Sequence, residues 1–209
     1  MSKHFNVFRQ IVLGYILIVG LCVGLITPVA QAEAPIDNSY SSATGAPVLV
    51  DGLTVDQRAD KIDAFFASRG DLPLIGYGHT MVEDADKYGI DWKLVAGLSY
   101  NESTAGLHEC PAKHGVKTYN AFGYDGCDMA FKSYADAIDT VSRDLAGQIP
   151  ATAKAYANKS IAQIINTYNP PSANPDYKSN VLWTMNKIAS TDITSWVASA
   201  PSASQLAIK

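Results

Sequence analysis

Residues 94–106 read LVAGLSYNESTAG, a segment that begins with the pattern of a buried helix and ends in a Ser-Thr-Ala-Gly stop. Its one charged residue is Glu102. At about 100° per residue, Glu102 lies about 40° from Leu98 and about 20° from Val95 around the helix axis. It therefore continues the apolar stripe of the helix. A carboxylate near a helix C-terminus also meets the unfavourable end of the helix dipole, which indicates a role other than solvation.

An apolar setting would change the acidity of Glu102. Burial disfavours the charged form of a carboxyl group and so raises its pKa. A carboxylic acid that is still protonated near neutral pH can donate its proton to a leaving group, as cleavage of a glycosidic bond requires. The ordinary alternative is an exposed helix-end carboxylate without a catalytic role, and the local pattern leaves both interpretations open.

Helical patterns on both sides of this stretch predict a mostly α fold. Thr54-Val-Asp-Gln57 and Ser160-Ile-Ala-Gln163 have the pattern of capping boxes that begin helices. Asp91 is expected to cap the helix that carries Glu102. Further helices are predicted over residues 79–88, 133–147 and 176–188. Residues 104–130 have no helical period, so we expect a long irregular loop or a short β-hairpin there.

The two ends of the chain differ from the helical region, residues 54–190. Residues 1–32 combine two basic residues, an apolar run and an Ala-x-Ala exit, which is typical of a secretory signal peptide, with an uncleaved N-terminal anchor as the alternative. Residues 33–53 are predicted to be a linker and residues 191–209 a weakly patterned C-terminal tail. We therefore expect an exported protein (secreted, periplasmic or associated with the cell envelope) that meets a membrane only through an uncleaved N-terminal segment.

Composition and charge narrow the class of partner. Of the 209 residues, 47% are hydrophobic and 17% charged, which is typical of one globular domain with an ordinary core. Residues 1–32 hold two of the 16 basic residues and none of the 20 acidic ones, so the remainder has 14 basic residues and a formal charge of −6. An acidic chain without a basic run is not expected to bind nucleic acid.

Two cysteines, Cys110 and Cys127, remain after the N-terminal segment, and both lie in the irregular stretch. An even number of cysteines in an exported chain predicts a disulfide. Its loop would stabilise the fold by roughly 3 kcal/mol in the chain-entropy model. The alternative is a metal site that also uses His108 and His114, but their spacing matches no tight zinc motif. We expect the disulfide, and neither a metal nor a cofactor.

Several short motifs then follow one another in a recognisable order. They are Pro73-Leu-Ile-Gly76, Tyr88-Gly-Ile-Asp91, Asn101-Glu-Ser-Thr-Ala-Gly106, Asn120-Ala-Phe-Gly123, Phe131-Lys-Ser133 and Tyr168-Asn-Pro-Pro171. In this order and spacing they resemble the bacterial glucosaminidase family, glycoside hydrolase family seventy-three, of the lysozyme-like superfamily. The resemblance implies a lysozyme-like helical domain that cleaves β-1,4 bonds of N-acetylated glycan as an endo-β-N-acetylglucosaminidase, with peptidoglycan as the expected substrate.

The resemblance also implies roles for individual residues. Glu102 would be the general acid and Tyr168 a phenol near the scissile sugar. The residues expected to bind substrate are Ser103, Asn120, Phe122 and Tyr124. No motif singles out a second carboxylate, and Asp125 and Glu109 are favoured because both lie in the irregular stretch. Tyr177 is interpreted only as a surface aromatic available for stacking on a sugar.

The sequence leaves open which group attacks the sugar C1, and whether Glu102 is catalytic at all. Attack by the acetamido group or the 6-hydroxyl of the substrate would make a second carboxylate unnecessary. The alternatives are therefore a lytic transglycosylase, with the same acid but an anhydro product, and a silent glycan-binding envelope protein in which Glu102 is structural. The cysteine-containing segment 108–119 departs from the usual family pattern, so the glycan recognised can differ.

Overall fold

The computed structural model of this chain describes residues 48–112 and 114–199. The predicted signal peptide or anchor, most of the predicted linker and the end of the predicted tail lie outside the described residues. Within them the fold is mostly α, as the sequence predicts. No helix in these two ranges is long and apolar enough to cross a membrane.

Eight α-helices and one 3₁₀ helix follow one another in the described residues. They are α1 (Val55–Ala67), α2 (Gly78–Tyr88), α3 (Leu94–Ser103), the 3₁₀ helix (Tyr124–Cys127), α4 (Tyr134–Leu145), α5 (Ala153–Tyr156), α6 (Ile161–Tyr168), α7 (Tyr177–Ser190) and α8 (Thr194–Ser199). Isolated β-bridges in the same residues join Val50 to Leu53 and involve Val116. Residues 104–112 and 114–133 contain no β-strand, so the irregular loop, with one 3₁₀ helix, is the alternative that describes this part of the chain.

Both predicted capping boxes are present. The Thr54 hydroxyl accepts a hydrogen bond from the Gln57 backbone N–H at 3.2 Å, and the Gln57 side chain accepts one from the Thr54 N–H at 3.0 Å. Ser160 and Gln163 repeat this reciprocal arrangement at the start of α6. Because each box satisfies two backbone groups at a helix start, these helices begin where the sequence predicts.

Helix α3 packs closely against α7. Residues 94–99 are all buried, and a Cβ atom at Gly97 would lie 2.9 Å from Met185 Cγ, so α7 approaches the bare backbone there. The prediction that Asp91 caps α3 is wrong: its carboxylate accepts from the Lys93 N–H at 2.9 Å, before the helix begins, and α3 has no side-chain cap. The packing brings the C-terminal end of α3, with Glu102, beside the start of α7.

Two carboxylates join α1 to α2 and the turn before it. The buried Arg58 guanidinium binds both carboxylate oxygens of Asp86, each at 2.7 Å. Asp63 is also buried, and its Oδ1 accepts from the backbone N–H groups of Gly76 and Gly78 at 2.8 and 3.1 Å. Burial raises the pKa of Asp63 to about 7. The turn therefore depends on a carboxyl group whose charge changes near neutral pH.

The described edges of the predicted linker and tail make contacts with the helices. Trp92 Nε1 donates to Asp51 at 3.1 Å, and Trp196 Nε1 donates to Asp60 on α1 at 3.1 Å. Trp196 lies on α8, a short helix in the region predicted to be weakly patterned. Both segments are thus attached to the helical unit through an indole N–H.

Candidate active site

Glu102 lies near the C-terminal end of α3 and is partly buried. Its Oε1 accepts a hydrogen bond from the Tyr177 hydroxyl at 2.5 Å. Its Oε2 faces the backbone of Gly123, where a Cβ atom would lie 2.9 Å away. Burial raises the pKa of Glu102, and the hydrogen bond from Tyr177 opposes part of that rise because it stabilises the carboxylate. The phenol of Tyr177 thus holds one oxygen of the carboxyl group, and the other oxygen lies against backbone that carries no side chain.

The backbone turns sharply directly after α3. Thr104 and Ala105 have positive φ angles of 53° and 50°, followed by Gly106 at 91°. The buried Ser103 hydroxyl donates to the Ala121 carbonyl at 2.6 Å and accepts from the Gly106 N–H at 2.9 Å. Ser103, which the sequence predicts to bind substrate or to orient the helix end, therefore makes its described contacts within the protein and holds the following loop against α3.

Strained backbone is concentrated in this loop. In the described residues, eight non-glycine residues have positive φ, and six of them lie between residues 104 and 127. Such conformations cost free energy and persist where the surrounding structure holds them, most often at functional sites. Their clustering between residues 104 and 127 makes the loop that follows Glu102 the most backbone-strained part of the described residues, and the Cys110–Cys127 bridge closes most of that loop.

Asn120 organises the centre of the loop. Its amide nitrogen donates to the carbonyls of Tyr124 and Met129, both at 3.0 Å, and its Oδ1 accepts from the N–H groups of Phe122 and Tyr124 at 3.3 and 3.0 Å. Asn120 and Phe122 are both fully buried. The sequence predicts that both residues bind substrate; in the structure the Asn120 side chain holds the loop backbone from within, and Phe122 is part of the hydrophobic core.

Tyr168 supports the loop from α6. Its hydroxyl donates to the Phe122 carbonyl at 2.6 Å, next to the Gly123 backbone that faces Glu102. Burial raises the pKa of Tyr168 well above its ordinary value, and the Glu102 carboxylate adds to the rise. Tyr168 therefore lies near Glu102, and the hydrogen bond of its hydroxyl is to the loop; its predicted place near a scissile sugar stays a prediction.

Tyr177 is the residue that sequence reasoning misplaces. It is buried rather than a surface aromatic, and its hydroxyl makes the hydrogen bond to Glu102. Its pKa is raised by burial and by the negative charge of Glu102, so it stays a neutral donor. The helical periodicity of α7 predicts the burial of Tyr177. It shares one face of the helix with four other buried residues: Val181, Thr184, Met185 and Ile188.

Tyr124 anchors the 3₁₀ helix to α4. Its hydroxyl donates to Asp144 at 2.9 Å, and the Thr152 hydroxyl donates to the other oxygen of the same carboxylate. Burial, followed by the charge of Asp144, raises the pKa of Tyr124. Tyr124 is predicted to bind substrate, and its described hydroxyl contact is with the buried Asp144, which sequence reasoning does not single out.

The two favoured candidates for a second carboxylate have different surroundings. Asp125 is exposed in the 3₁₀ helix, whereas Glu109 accepts from the Tyr134 hydroxyl at 2.8 Å and lies 3.7 Å from Lys117 Nζ. Burial and the hydrogen bond from Tyr177 act on the pKa of Glu102 in opposite directions. In the described residues the hydrogen-bond partner of the Glu102 carboxyl is the phenol of Tyr177, and neither Asp125 nor Glu109 is hydrogen-bonded to it.

The predicted disulfide between Cys110 and Cys127 is confirmed, with Cα atoms 5.4 Å apart. Because both sulfurs are in the bridge, neither is a thiolate ligand for a metal. The Cys110 N–H also donates to the Asn120 carbonyl at 3.0 Å, and the Thr118 hydroxyl donates to the Cys110 carbonyl at 2.7 Å. The bridge therefore closes the loop whose centre Asn120 organises.

A cleft of about 300 Å³ lies at the other end of α3. Its lining includes Tyr88, Asp91, Leu94 and Tyr156. Leu94 and Glu102 are eight residues apart, about 12 Å along the helix axis. Tyr156, however, also acts on the pKa values of Tyr168 and Tyr177, so the cleft borders the group of phenols beside Glu102.

Comparison of the chain with protein-family models, curated proteins and solved structures finds no match. The glucosaminidase resemblance consequently depends on the order of the motifs in this chain. Of those motifs, the structure brings Asn101–Gly106, Asn120–Gly123 and Tyr168 into contact around Glu102.

We expect the variant Cys110→Ala/Cys127→Ala to lose roughly 3 kcal/mol of the free energy of unfolding, because the open loop gains entropy in the unfolded chain. Residues 104–130 should become sensitive to protease while the α-helices, which contain no cysteine, stay folded. Denaturant unfolding combined with peptide mapping of limited proteolysis measures both effects. Wild-type protein treated with a thiol reductant is the control and should behave like the variant, and an unchanged free energy of unfolding would contradict the prediction.

Proposed function

We propose that this chain is an exported glycosidase that cleaves β-1,4 bonds of N-acetylated glycan, with peptidoglycan as its substrate and Glu102 as its general acid. The observation that carries the proposal is the setting of Glu102: a partly buried carboxyl group with a raised pKa, fixed by Tyr177 and facing bare backbone at Gly123. General acids work best when their pKa lies near the working pH, and burial provides that rise. The motif resemblance supports the same class of reaction.

The two oxygens of Glu102 have different parts in the proposed reaction. Oε1 accepts from the Tyr177 hydroxyl, so the proton to be transferred is on Oε2. Oε2 lies close to Gly123, where a side chain would collide with the carboxyl group, so the glycine keeps this oxygen from being covered by a Cβ. As the bond from this oxygen to the sugar C1 breaks, the proton moves from Oε2 to the leaving oxygen, and Glu102 becomes a carboxylate that Tyr177 stabilises.

The hydrogen-bond partner of Glu102 in the described residues is the phenol of Tyr177, so the proposed route uses the substrate itself to attack C1. If the acetamido oxygen attacks, water later opens the ring that it forms, gives a proton to the Glu102 carboxylate, and leaves a reducing end. If the 6-hydroxyl attacks, its proton returns to Glu102 and an anhydro sugar results, which is lytic transglycosylase chemistry. The two routes use the same protein residues. They differ in the substrate group that attacks C1 and in the product.

The experiment that tests the proposal is digestion of purified cell walls by the exported protein. We expect soluble fragments with a reducing end. Mass spectrometry separates the two routes, because an anhydro product is lighter by one water. Binding of the walls without release of any fragment would contradict the proposal and identify a silent glycan-binding protein.

We expect Tyr177→Phe to lower turnover by about 10-fold or more, which is what a hydrogen bond to a charged group contributes. Since this bond lowers the pKa of Glu102, its loss raises that pKa further and moves the alkaline limb of the pH–rate profile to higher pH. The matched control is Tyr168→Phe, whose hydroxyl donates its hydrogen bond to the Phe122 carbonyl and not to Glu102. We expect it to lower turnover less and to leave the alkaline limb in place; an unmoved limb in Tyr177→Phe would remove Tyr177 from the mechanism.

A further inference from the structure

Asp144 is a buried carboxylate that joins the end of α4 to the loop after α3. It lies in the last turn of α4 and is 3% exposed. The described hydrogen bonds of its carboxylate come from two hydroxyls, that of Tyr124 at 2.9 Å and that of Thr152. Burying a carboxylate opposes folding, although a charged oxygen is a stronger acceptor than a neutral one. Such a group contributes little net stability, and what it provides is a fixed position for its donors.

Tyr124 is fixed at its backbone as well as at its hydroxyl. Its N–H donates to Asn120 Oδ1, and its carbonyl accepts from Asn120 Nδ2, both at 3.0 Å. Asn120 belongs to the same loop as Tyr124, so these two bonds hold the loop to itself. The bond from the Tyr124 hydroxyl to Asp144 is therefore the contact that ties this part of the loop to α4.

Gly123 lies between Phe122 and Tyr124, and these two neighbours are held in different ways. Phe122 is fully buried in the hydrophobic core, so packing holds its backbone even without a hydrogen bond. Tyr124 is only partly buried, so its position depends more on the hydroxyl bond to Asp144. Gly123 has a positive φ of 59°, and a Cβ atom there would lie 2.9 Å from Glu102 Oε2. The bond between Tyr124 and Asp144 thus holds the side of Gly123 that core packing does not.

We propose that Asp144 is a positioning residue for Glu102: through the Tyr124 hydroxyl it holds the Gly123 backbone beside Glu102 Oε2. This inference rests on the proposed function, in which Oε2 carries the proton to be transferred. Asp144 touches no reacting atom in this scheme. It keeps the loop close enough to exclude water from one side of Oε2, without a Cβ that would cover the oxygen. A misplacement of about 1 Å in an active site can lower the rate about 10²-fold, so a loosened loop lowers turnover even where no reacting group is lost.

The test is Tyr124→Phe in the full chain, which removes the hydroxyl and keeps the ring against Phe131, with the ring centroids 6.0 Å apart. We expect kcat on soluble N-acetylglucosamine oligomers to fall about 10-fold or more, with KM little changed. The pKa of Glu102, followed by carbon-13 NMR of its labelled carboxyl group, should fall toward its ordinary value, because water reaches Oε2 when Gly123 moves away. The substitution removes a neutral phenol and no charge, so a change in this pKa reports movement of the loop.

The matched control is Tyr88→Phe. The Tyr88 hydroxyl donates to Asp139, also on α4, at 2.6 Å, so this variant removes the same kind of bond away from the loop. Both kcat and the pKa of Glu102 should stay at their wild-type values. Asp144→Asn changes the acceptor of the proposed link. Because both substitutions weaken the same link, Tyr124→Phe/Asp144→Asn should lower kcat no further than the more affected single variant.

Three results would overturn the inference. They are a kcat in Tyr124→Phe no lower than in Tyr88→Phe, an unchanged pKa of Glu102 in Tyr124→Phe whether or not KM rises, and losses of kcat that multiply in the double variant. If the wild type cleaves no glycan, the NMR measurement still decides. A fall in the pKa of Glu102 in Tyr124→Phe, and none in Tyr88→Phe, would then leave Asp144 as the residue that positions the loop while the proposed function fails.

Discussion

Glu102→Gln is expected to lower the rate of glycan cleavage by about 10²–10⁴-fold, the usual contribution of a general acid. The glutamine carbonyl can still accept the Tyr177 hydroxyl, and the side-chain volume is unchanged, so the surrounding geometry should persist. An amide cannot supply the proton that the leaving oxygen needs. Initial rates of fragment release from cell walls, at saturating glycan, measure the effect.

The same variant should not be less stable than the wild type. Burial raises the pKa of Glu102, which means that its charged form is disfavoured in the folded chain. At neutral pH the neutral amide avoids that cost, so the free energy of unfolding is expected to stay the same or to rise. Glu83→Gln, at an exposed position of α2, is the matched control for removal of one carboxylate. A Glu102→Gln variant with more than about half the wild-type rate would exclude Glu102 as the general acid.

The sequence predicts those features that depend on neighbouring residues. Capping boxes at Thr54 and Ser160 act within one helical turn, so their pattern marks the helix starts directly. The placement of Glu102 on the apolar side of α3 follows from helical geometry alone. The disulfide is predicted from the number of cysteines and the expected compartment, without knowledge of the fold, and the structure confirms it.

The contacts that define the candidate site join residues far apart in the chain, which a local pattern does not reveal. Tyr177 and Glu102 are 75 residues apart and meet only because α7 packs closely on α3 at Gly97. Asn120 belongs to a motif found from sequence, yet its inward orientation depends on a loop fold with several left-handed residues. Motif order thus identifies which segments belong to the site, and tertiary packing decides which side chains face the carboxyl group.

The burial of a charged residue is also not predictable from a local pattern, and Asp63 is an example. A local pattern gives no reason to distinguish this aspartate from the solvated ones, but the fold buries it and uses its Oδ1 to accept from Gly76 and Gly78. The turn that it holds also contacts the site, because the Leu74 N–H donates to the carbonyl of Ala105, directly after α3. The turn that Asp63 holds is therefore in direct contact with the loop that follows Glu102.

We expect the free energy of unfolding to fall as the pH rises from 4 to 7, with Asp63 as a principal cause. Burial raises the pKa of Asp63 from its ordinary value of 3.8 to about 7, so in this range the folded chain holds a proton that the unfolded chain has lost. Stability then falls by up to about 1.4 kcal/mol per pH unit, or of order 4 kcal/mol in all. The full stability is present below the unfolded pKa, and the loss is complete above about pH 7.

Asp63→Asn should remove most of this pH dependence. The amide oxygen can still accept from Gly76 and Gly78, and the amide group resembles the protonated acid in shape and charge, so the variant should match the wild type at acidic pH and exceed its stability at pH 8. Denaturant unfolding between pH 4 and 8 measures both curves. Asp176→Asn, at an exposed carboxylate, is the control and should retain the wild-type slope. If the slopes of wild type and Asp63→Asn are equal, Asp63 is charged in the folded chain throughout this range, and the turn before α2 tolerates a buried carboxylate anion.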